Sequence, residues 1–336
     1  MTTMTLAKAL GAGMRRALQA DERVVLMGED IGTLGGVFRV TDGLKAEFGE
    51  RRVVDAPLSE AGILGTAVGL AYRGYRPVVE IQFDGFVYPA FDQIVAQVAK
   101  LHYRSRGHVR MPITIRIPFG GGIGAAEHHS ESPEAYFAHT AGLRVMACSN
   151  PADAYVMIQQ AIASDDPVVF FEPKRRYHVK GDVDEQANLA DAPPPGVART
   201  VASGGDATVV AYGGLLQTAA DAAVAAREDG VSLDVIDLRS LAPIDFATIE
   251  ASVRRTGRLV VVHEAGEQGG MGAEIVARIT ESCFEFLEHA PVRVTGHDIP
   301  YPPARLERHH LPDLDRILDG VDRVLGRPNS LSGAEA

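Results

Sequence analysis

The stretch VVDAPLSEAGILGTAVGL, Val53–Leu70, decides how this chain folds. It opens on two β-branched residues, which suit a pleated strand, and turns through Ala56-Pro57-Leu58. It then continues as an unbroken series of small and aliphatic residues, with Ser59 placed to cap a helix start and Gly74 to end it. The pattern predicts a strand over Arg52–Val54 and a helix over Ala61–Arg73. Because that helix has no polar face, it is expected to be buried all round. A strand feeding a covering helix through a short turn is the repeating unit of α/β proteins.

The unit recurs in both directions. Strands are predicted at Val24–Met27, Pro77–Phe83, Ile113–Phe119, Leu143–Ala147 and Pro167–Phe171. Most are near-continuous apolar runs, as strands covered on both faces should be. A helix is predicted over Ala90–Arg104, with Phe91, Ile94, Val95, Val98 and Leu101 on one stripe. After Pro167–Phe171 the chain turns polar and includes Pro193-Pro194-Pro195. The alternation then resumes with strands at Thr208–Tyr212, Leu233–Leu238, Leu259–His263 and Val292–Val294. Helices at Leu215–Asp229, Asp245–Arg255, Met271–Leu287 and Leu314–Leu325 separate or follow them. The expectation is an α/β chain of two α/β domains with mainly parallel sheets: residues 1–185, a linker 186–206, and 207–330.

Bulk properties exclude several classes of function. The 336 residues are 46% hydrophobic and 23% charged, ordinary for a globular protein. A net charge of −11 without basic runs argues against nucleic acid and anionic membranes as partners. No segment approaches the roughly 18 to 20 apolar residues of a membrane span, and the first residues lack a secretory core. Cys148 and Cys283 are far apart and fit a reducing compartment as small core residues, so the cytoplasm is expected, or the mitochondrial matrix in a eukaryote.

Three features carry chemistry. Glu60 stands at the start of the apolar helix; it could simply favour the positive helix end, but a carboxyl there risks burial, which would keep it protonated and able to donate to a ring nitrogen. The segment ITIRIPFGGGIGAAEHHSESPEA, Ile113–Ala135, formally matches a dinucleotide fingerprint at Gly120, Gly122 and Ala125. His128, His129, Ser130 and Pro133 interrupt the helix that fingerprint needs, and the next strand ends without a carboxylate. The glycines are instead expected to let backbone approach a ligand or partner closely. His128 and His129 fall on the C-terminal side of a strand, where open α/β sheets bind ligands, before a helix start at Ser132-Pro133. No Cys or carboxylate spacing makes them zinc ligands.

Together with GEDIGTLGGVFRVTDGL (Gly28–Leu44), EIQFDGFVYPAFDQIV (Glu80–Val95), DPVVFFEPKRRY (Asp166–Tyr177), VIDLRSLAPIDFATI (Val235–Ile249) and RTGRLVVVHEA (Arg255–Ala265), these motifs cover nearly the whole chain in order. In that order they resemble the transketolase-like thiamine diphosphate enzymes, and most specifically the β subunit of the decarboxylating component of 2-oxo acid dehydrogenase complexes. Ala56 and Glu131 depart from the residues common there. The resemblance implies a pyrimidine-binding domain followed by a transketolase C-terminal-like domain. It implies that Glu60 hydrogen-bonds the aminopyrimidine of thiamine diphosphate, that Phe86 lies against that ring and Gln82 near it. It further implies that His129 moves a proton during acyl transfer to a lipoyl group, with His128 the less important neighbour.

The Gly-Asp-Gly…Asn pattern that holds the diphosphate metal in such enzymes is missing; Gly181-Asp182-Val183 and Gly205-Asp206-Ala207 do not supply it. The resemblance therefore implies a partner α subunit carrying the magnesium ion, in a heterotetramer of two α and two β chains that serves a lipoyl acyltransferase core. No metal ligand is assigned to this chain, apart from a potassium site in some relatives for which the loop before Asp153 and the stretch near Asp166 are candidates. The expected substrate is a branched-chain 2-oxo acid of the 3-methyl-2-oxobutanoate type, with pyruvate and acetoin dehydrogenases as alternatives. Two other readings are a self-sufficient transketolase-like enzyme and a non-catalytic scaffolding subunit.

Overall fold

The computed structural model describes residues 1–327; positions 328–330, the end of the second domain as read from the sequence, lie outside the described residues. The first half contains β1 (Thr2–Thr5), β2 (Val24–Gly28), β3 (Val53–Asp55), β4 (Arg76–Glu80), β5 (Thr114–Phe119), β6 (Arg144–Ala147), β7 (Val168–Pro173) and β8 (Lys180–Val183). The second contains β9 (Arg199–Ala202), β10 (Ala207–Ala211), β11 (Leu233–Asp237), β12 (Ser240–Ala242), β13 (Leu259–Gly266) and β14 (Val292–Gly296).

Among the described residues the larger sheet runs β12-β6-β7-β5-β4-β2-β3 and the smaller β14-β13-β10-β11-β9. Both are parallel except for one antiparallel edge strand each, β12 on β6 and β9 on β11. The mainly parallel two-domain α/β architecture is thus as expected. All of β5 and β7 is buried, the reason these strands read as continuous apolar runs. β9 falls within the stretch read as linker and completes the second sheet's edge.

The halves interlock. β12 follows β11 of the second domain yet pairs with β6 of the first, Ser240 opposite Met146 and Ala242 opposite Val145. The apolar core runs through the junction, joining Ile117, Phe119 and Phe171 to Tyr212, Leu238 and Leu241. A buried polar seam accompanies it, with Arg199 bonded to Asp153 at 2.7 Å and Ser149 donating to Asp237 at 3.2 Å. Burial, reinforced by the nearby Asp153 charge, pushes the Asp237 carboxyl up to about 7.

Two local expectations are corrected. The helix Glu60–Tyr72 is not buried all round: Ile63, Leu64, Ala67 and Ala71 face the core, while Gly62, Gly65, Thr66 and Gly69 are exposed. Glycine and threonine offer little apolar area, so leaving them in water costs little, and an apolar composition overstated burial. In place of the single helix expected over Ala90–Arg104 come a π-helical stretch at Gln93–Val98 and one α-turn at Leu101–Arg104, preceded by a 3₁₀ turn at Asp84–Ala90 that contains Pro89. Most of the predicted stripe survives the change, since Ile94 and Val98 are fully buried and Phe91 and Leu101 pack on the core, while Val95 is only partly buried and lies outside that cluster.

Candidate active site

Parallel pairing sets Gly28 of β2 beside Glu80 of β4, and Glu80 beside Arg116 of β5. Glu29, one residue beyond β2, and Gln82, two beyond β4, therefore leave neighbouring strands at their C-terminal ends, where an α/β sheet presents its ligand crevice. Beneath them Arg116 is fully buried and bonds Glu172 through Nε and Nη2 at 2.6 and 2.8 Å, and Glu80 through Nη1. Tyr177 donates to the same Glu172 at 2.7 Å. This satisfied charge network gives the crevice a rigid floor.

Glu60 is the first residue of its helix, which Ser59 caps by accepting the Gly62 N–H at 3.2 Å. The side chain is partly exposed rather than enclosed, so burial within this chain is not what defines its environment. Glu29 fills that description instead. It is buried, its Oε1 has no hydrogen-bond partner, and its carboxyl is raised by burial and by the Glu60 charge. The two carboxyls thus lie close enough for the Glu60 charge to act on the buried Glu29. The Gln82 amide reaches the Glu29 carbonyl and the Asp30 carboxylate, each at 3.4 Å.

Phe86 and His129 meet on the other side of the crevice. Their rings lie 5.1 Å apart edge to face, and His129 also packs on Phe83 at 4.3 Å. His128 stacks over Phe86 at 6.1 Å and is more exposed than His129. Partial burial and the positive neighbours His128 and Lys174 lower the His129 pKa, favouring the neutral imidazole that can accept a proton. The structure thus brings His129, Phe86 and His128 together, and links Gln82 to Glu29 and, through Glu29, to Glu60. The helix expected at Ser132-Pro133 starts one residue later, at Glu134, without a side-chain cap.

The loop carrying His129 is held from both domains. At its start Gly121 donates to Glu264 of β13, and Gly122 and Gly124 donate to Glu307 Oε1 at 2.8 and 3.3 Å. Gly122 has φ +85°, and a Cβ on Gly121 would sit 1.7 Å from the Tyr301 hydroxyl. Those glycines therefore seat carboxylates of the chain's own second domain, not a pyrophosphate. Beyond His129, the Glu131 N–H donates to Asp84, which pairs with Lys174, and Tyr88 donates to the Glu131 side chain. Tyr212 of the second domain then donates to Glu134 at 2.5 Å, whose carboxyl burial pushes up to about 7.

Sequence reasoning missed Glu29, Asp84, Lys174, Glu264 and Glu307. For Glu29 and Lys174 a signal existed, since each is a charge directly after an apolar strand run, VVLMG and VVFFEP. Among the described residues no group of three or more His, Cys, Asp or Glu side chains is placed to hold a metal ion, and no helix is long and apolar enough to cross a membrane.

Comparison with known proteins places this fold in the transketolase class. Residues 2–180 match the transketolase pyrimidine binding domain and residues 196–317 the transketolase C-terminal domain. A pyruvate dehydrogenase E1 component subunit beta of Leifsonia xyli is 59% identical, over 96% of this chain and 95% of the relative. The 3-methyl-2-oxobutanoate dehydrogenase subunit beta of Mycobacterium tuberculosis is 54% identical, over 97% and 93%. The 2-oxoisovalerate dehydrogenase subunit beta of Pseudomonas aeruginosa is 44% identical, over 97% and 96%. A split-gene transketolase in an inactive β4 tetramer shares the fold, with a TM-score of 0.78 at 22% identity over 96% of this chain and 98% of that one. The chain belongs to the E1 β-subunit family of 2-oxo acid dehydrogenases.

Proposed function

We propose that this β subunit, with an α subunit in an α2β2 heterotetramer, carries out thiamine-diphosphate-dependent oxidative decarboxylation of a branched-chain 2-oxo acid of the 3-methyl-2-oxobutanoate type and acylates the lipoyl group of an acyltransferase core. The observation that carries the reading lies at the ends of β2 and β4, where buried Glu29 feels the charge of the partly exposed Glu60 and its carbonyl accepts from the Gln82 amide. The unpartnered Glu29 oxygen and the accessible Glu60 carboxyl fit the aminopyrimidine half of the cofactor. When bound, the cofactor supplies the carbanion-stabilising chemistry that the side chains lack.

In this assignment Glu60 holds a ring nitrogen of the pyrimidine by hydrogen bond, and Glu29 keeps its neighbour's charge and proton in balance. Phe86 supplies an aromatic face and Gln82 a polar edge. His129, whose pKa burial lowers, moves a proton as the acyl group passes to the lipoyl sulfur. The diphosphate and its magnesium ion are assigned to the α chain, because the Gly-Asp-Gly…Asn pattern is missing from this sequence.

The relatives' names divide between branched-chain and pyruvate substrates, and the Leifsonia relative favours pyruvate as a second reading. Steady-state turnover of the co-expressed α2β2 enzyme on 3-methyl-2-oxobutanoate against pyruvate decides between them; a higher kcat/KM for pyruvate overturns the branched-chain assignment. Glu60→Gln in the same enzyme is expected to abolish turnover while assembly persists. Near-normal decarboxylation by that variant would remove the basis of the cofactor assignment.

A further inference from the structure

Away from the crevice, on the outer side of the Gly122 turn, a recess of about 560 Å³ opens between the two domains. Its floor is contributed by Arg175 and Arg176, which follow β7, and its walls by Thr218, Arg308 and the segment Leu311–Leu314. Asp313 is the lining carboxylate, and one of its oxygens accepts the Arg316 N–H as a helix cap.

The arginines there are poorly matched by acidic partners. Arg175 has Glu264 as its nearest carboxylate, at 4.0 Å, while Glu264 also takes the Gly121 N–H. Arg308 makes one long contact, 3.4 Å, to the ring of His309. Arg176 is half-buried, and its Nε is shielded from water without any hydrogen-bond partner. Burial and the adjacent Arg175 charge both act against its protonated form, with Asp221 the opposing charge. A guanidinium taken from water without an anion is costly, and a planar fork of donors suits an oxyanion in particular.

We propose that this interdomain recess is a binding site for a phosphate-bearing small molecule, held by Arg175, Arg176 and Arg308 with the Thr218 hydroxyl as a further donor. The recess is concave, is roomy enough for a small organic phosphate, and is lined by three cations. It is distinct from the thiamine crevice, which lies beyond the glycine turn. Its position also gives it a lever. Arg308 directly follows Glu307, which holds the Gly122 and Gly124 N–H groups, and Arg175 packs its stem against Gly122. An anion drawn between those arginines pulls on the same turn that leads to His129.

The test is calorimetric titration of pyrophosphate into the assembled α2β2 enzyme at constant ionic strength, with the thiamine site already saturated by thiamine diphosphate and magnesium. Saturable binding is expected, weakened about tenfold or more by Arg176→Ala and similarly by Arg308→Ala, because charge-assisted hydrogen bonds are lost. Arg308 is exposed, so its variant reports even where Arg176→Ala fails to fold. Arg305→Ala, nearby but outside the recess, is expected to bind as wild type. No binding to the assembled enzyme overturns the site, as does binding indifferent to both variants. Loss of α–β association in Arg176→Ala, with no pyrophosphate bound by wild type, would assign the arginines to a carboxylate of the partner chain instead.

Discussion

Asp84 and Lys174 form an ion pair in which neither side chain has any exposed surface. The pair ties the turn after β4 to the end of β7, and Asp84 also accepts the N–H of Glu131, just beyond His129. Burial pushes the Asp84 carboxyl up to about 7, while the Lys174 ammonium pulls it the other way. Removing one partner strands the other charge in the core. Lys174→Met is therefore expected to destabilise by about 3–5 kcal/mol in urea unfolding of the assembled enzyme. Adding Asp84→Leu should recover most of that loss, short of about 1 kcal/mol for the Glu131 hydrogen bond. Unchanged stability in Lys174→Met would show that the pair is not holding the loop.

His129 packs edge-on against Phe83 and Phe86, and burial together with the His128 and Lys174 charges lowers its pKa. A group poised that way matters most where a proton moves to or from the lipoyl sulfur. His129→Ala is expected to lower reductive acylation of a lipoyl domain about a hundredfold or more, a usual size for a general acid–base, and to spare decarboxylation followed with an artificial electron acceptor. Equal losses in the two assays would count against the division. His128→Ala, on the exposed side of the pair, should leave both rates within a few-fold of wild type.

Strand positions were readable because both faces of β2, β4, β5 and β7 are covered, so each strand appears as an apolar run. Glu60 was readable because a charge at the head of an apolar helix stands out. What was not readable was contact across long separation. Gly121 and Glu264 are 143 residues apart, and neither periodicity nor composition encodes that they meet. The glycine run signalled a close backbone approach but not its occupant, which proved to be the second domain. The exposed glycine face of the Glu60–Tyr72 helix misled for a related reason: hydropathy does not separate a residue that is buried from one too small to matter.

Gly121 fits under Tyr301 with no room for a side chain, since a Cβ would lie 1.7 Å from the hydroxyl oxygen and 2.2 Å from the ring carbon that bears it. Gly121→Ala must shift either the tyrosine or the turn that leads to His129. Overpacking of this kind costs about 1–3 kcal/mol, visible as a lowered midpoint in thermal unfolding. Tyr301→Phe removes the hydroxyl but not the ring carbon, so it should rescue only in part. Tyr301→Ala should rescue more, both variants losing the hydroxyl's bond to Glu307. A Gly121→Ala enzyme of wild-type stability would mean that the two domains yield at this contact.

His263 sets an acid limit on the second domain. It is fully buried on β13, with Nδ1 against the Ala265 carbonyl at 3.1 Å and Nε2 lacking a partner. Burial lowers its pKa to about 4, below the value near 6.5 that it regains on unfolding. Between those values the unfolded chain binds the extra proton, so the contribution is complete above pH ~6.5 and lost as pH falls toward 4. The full loss is on the order of 3 kcal/mol. Glu134 and Asp237, both raised to about 7, act in the opposite sense by favouring the folded state as pH falls from neutrality. The comparison must therefore be made between wild type and His263→Gln, in which those two groups are common. Urea unfolding of each across pH 4 to 7 should show a lower but flatter stability profile for the variant. Parallel profiles would mean that the imidazole is already solvated in the folded enzyme.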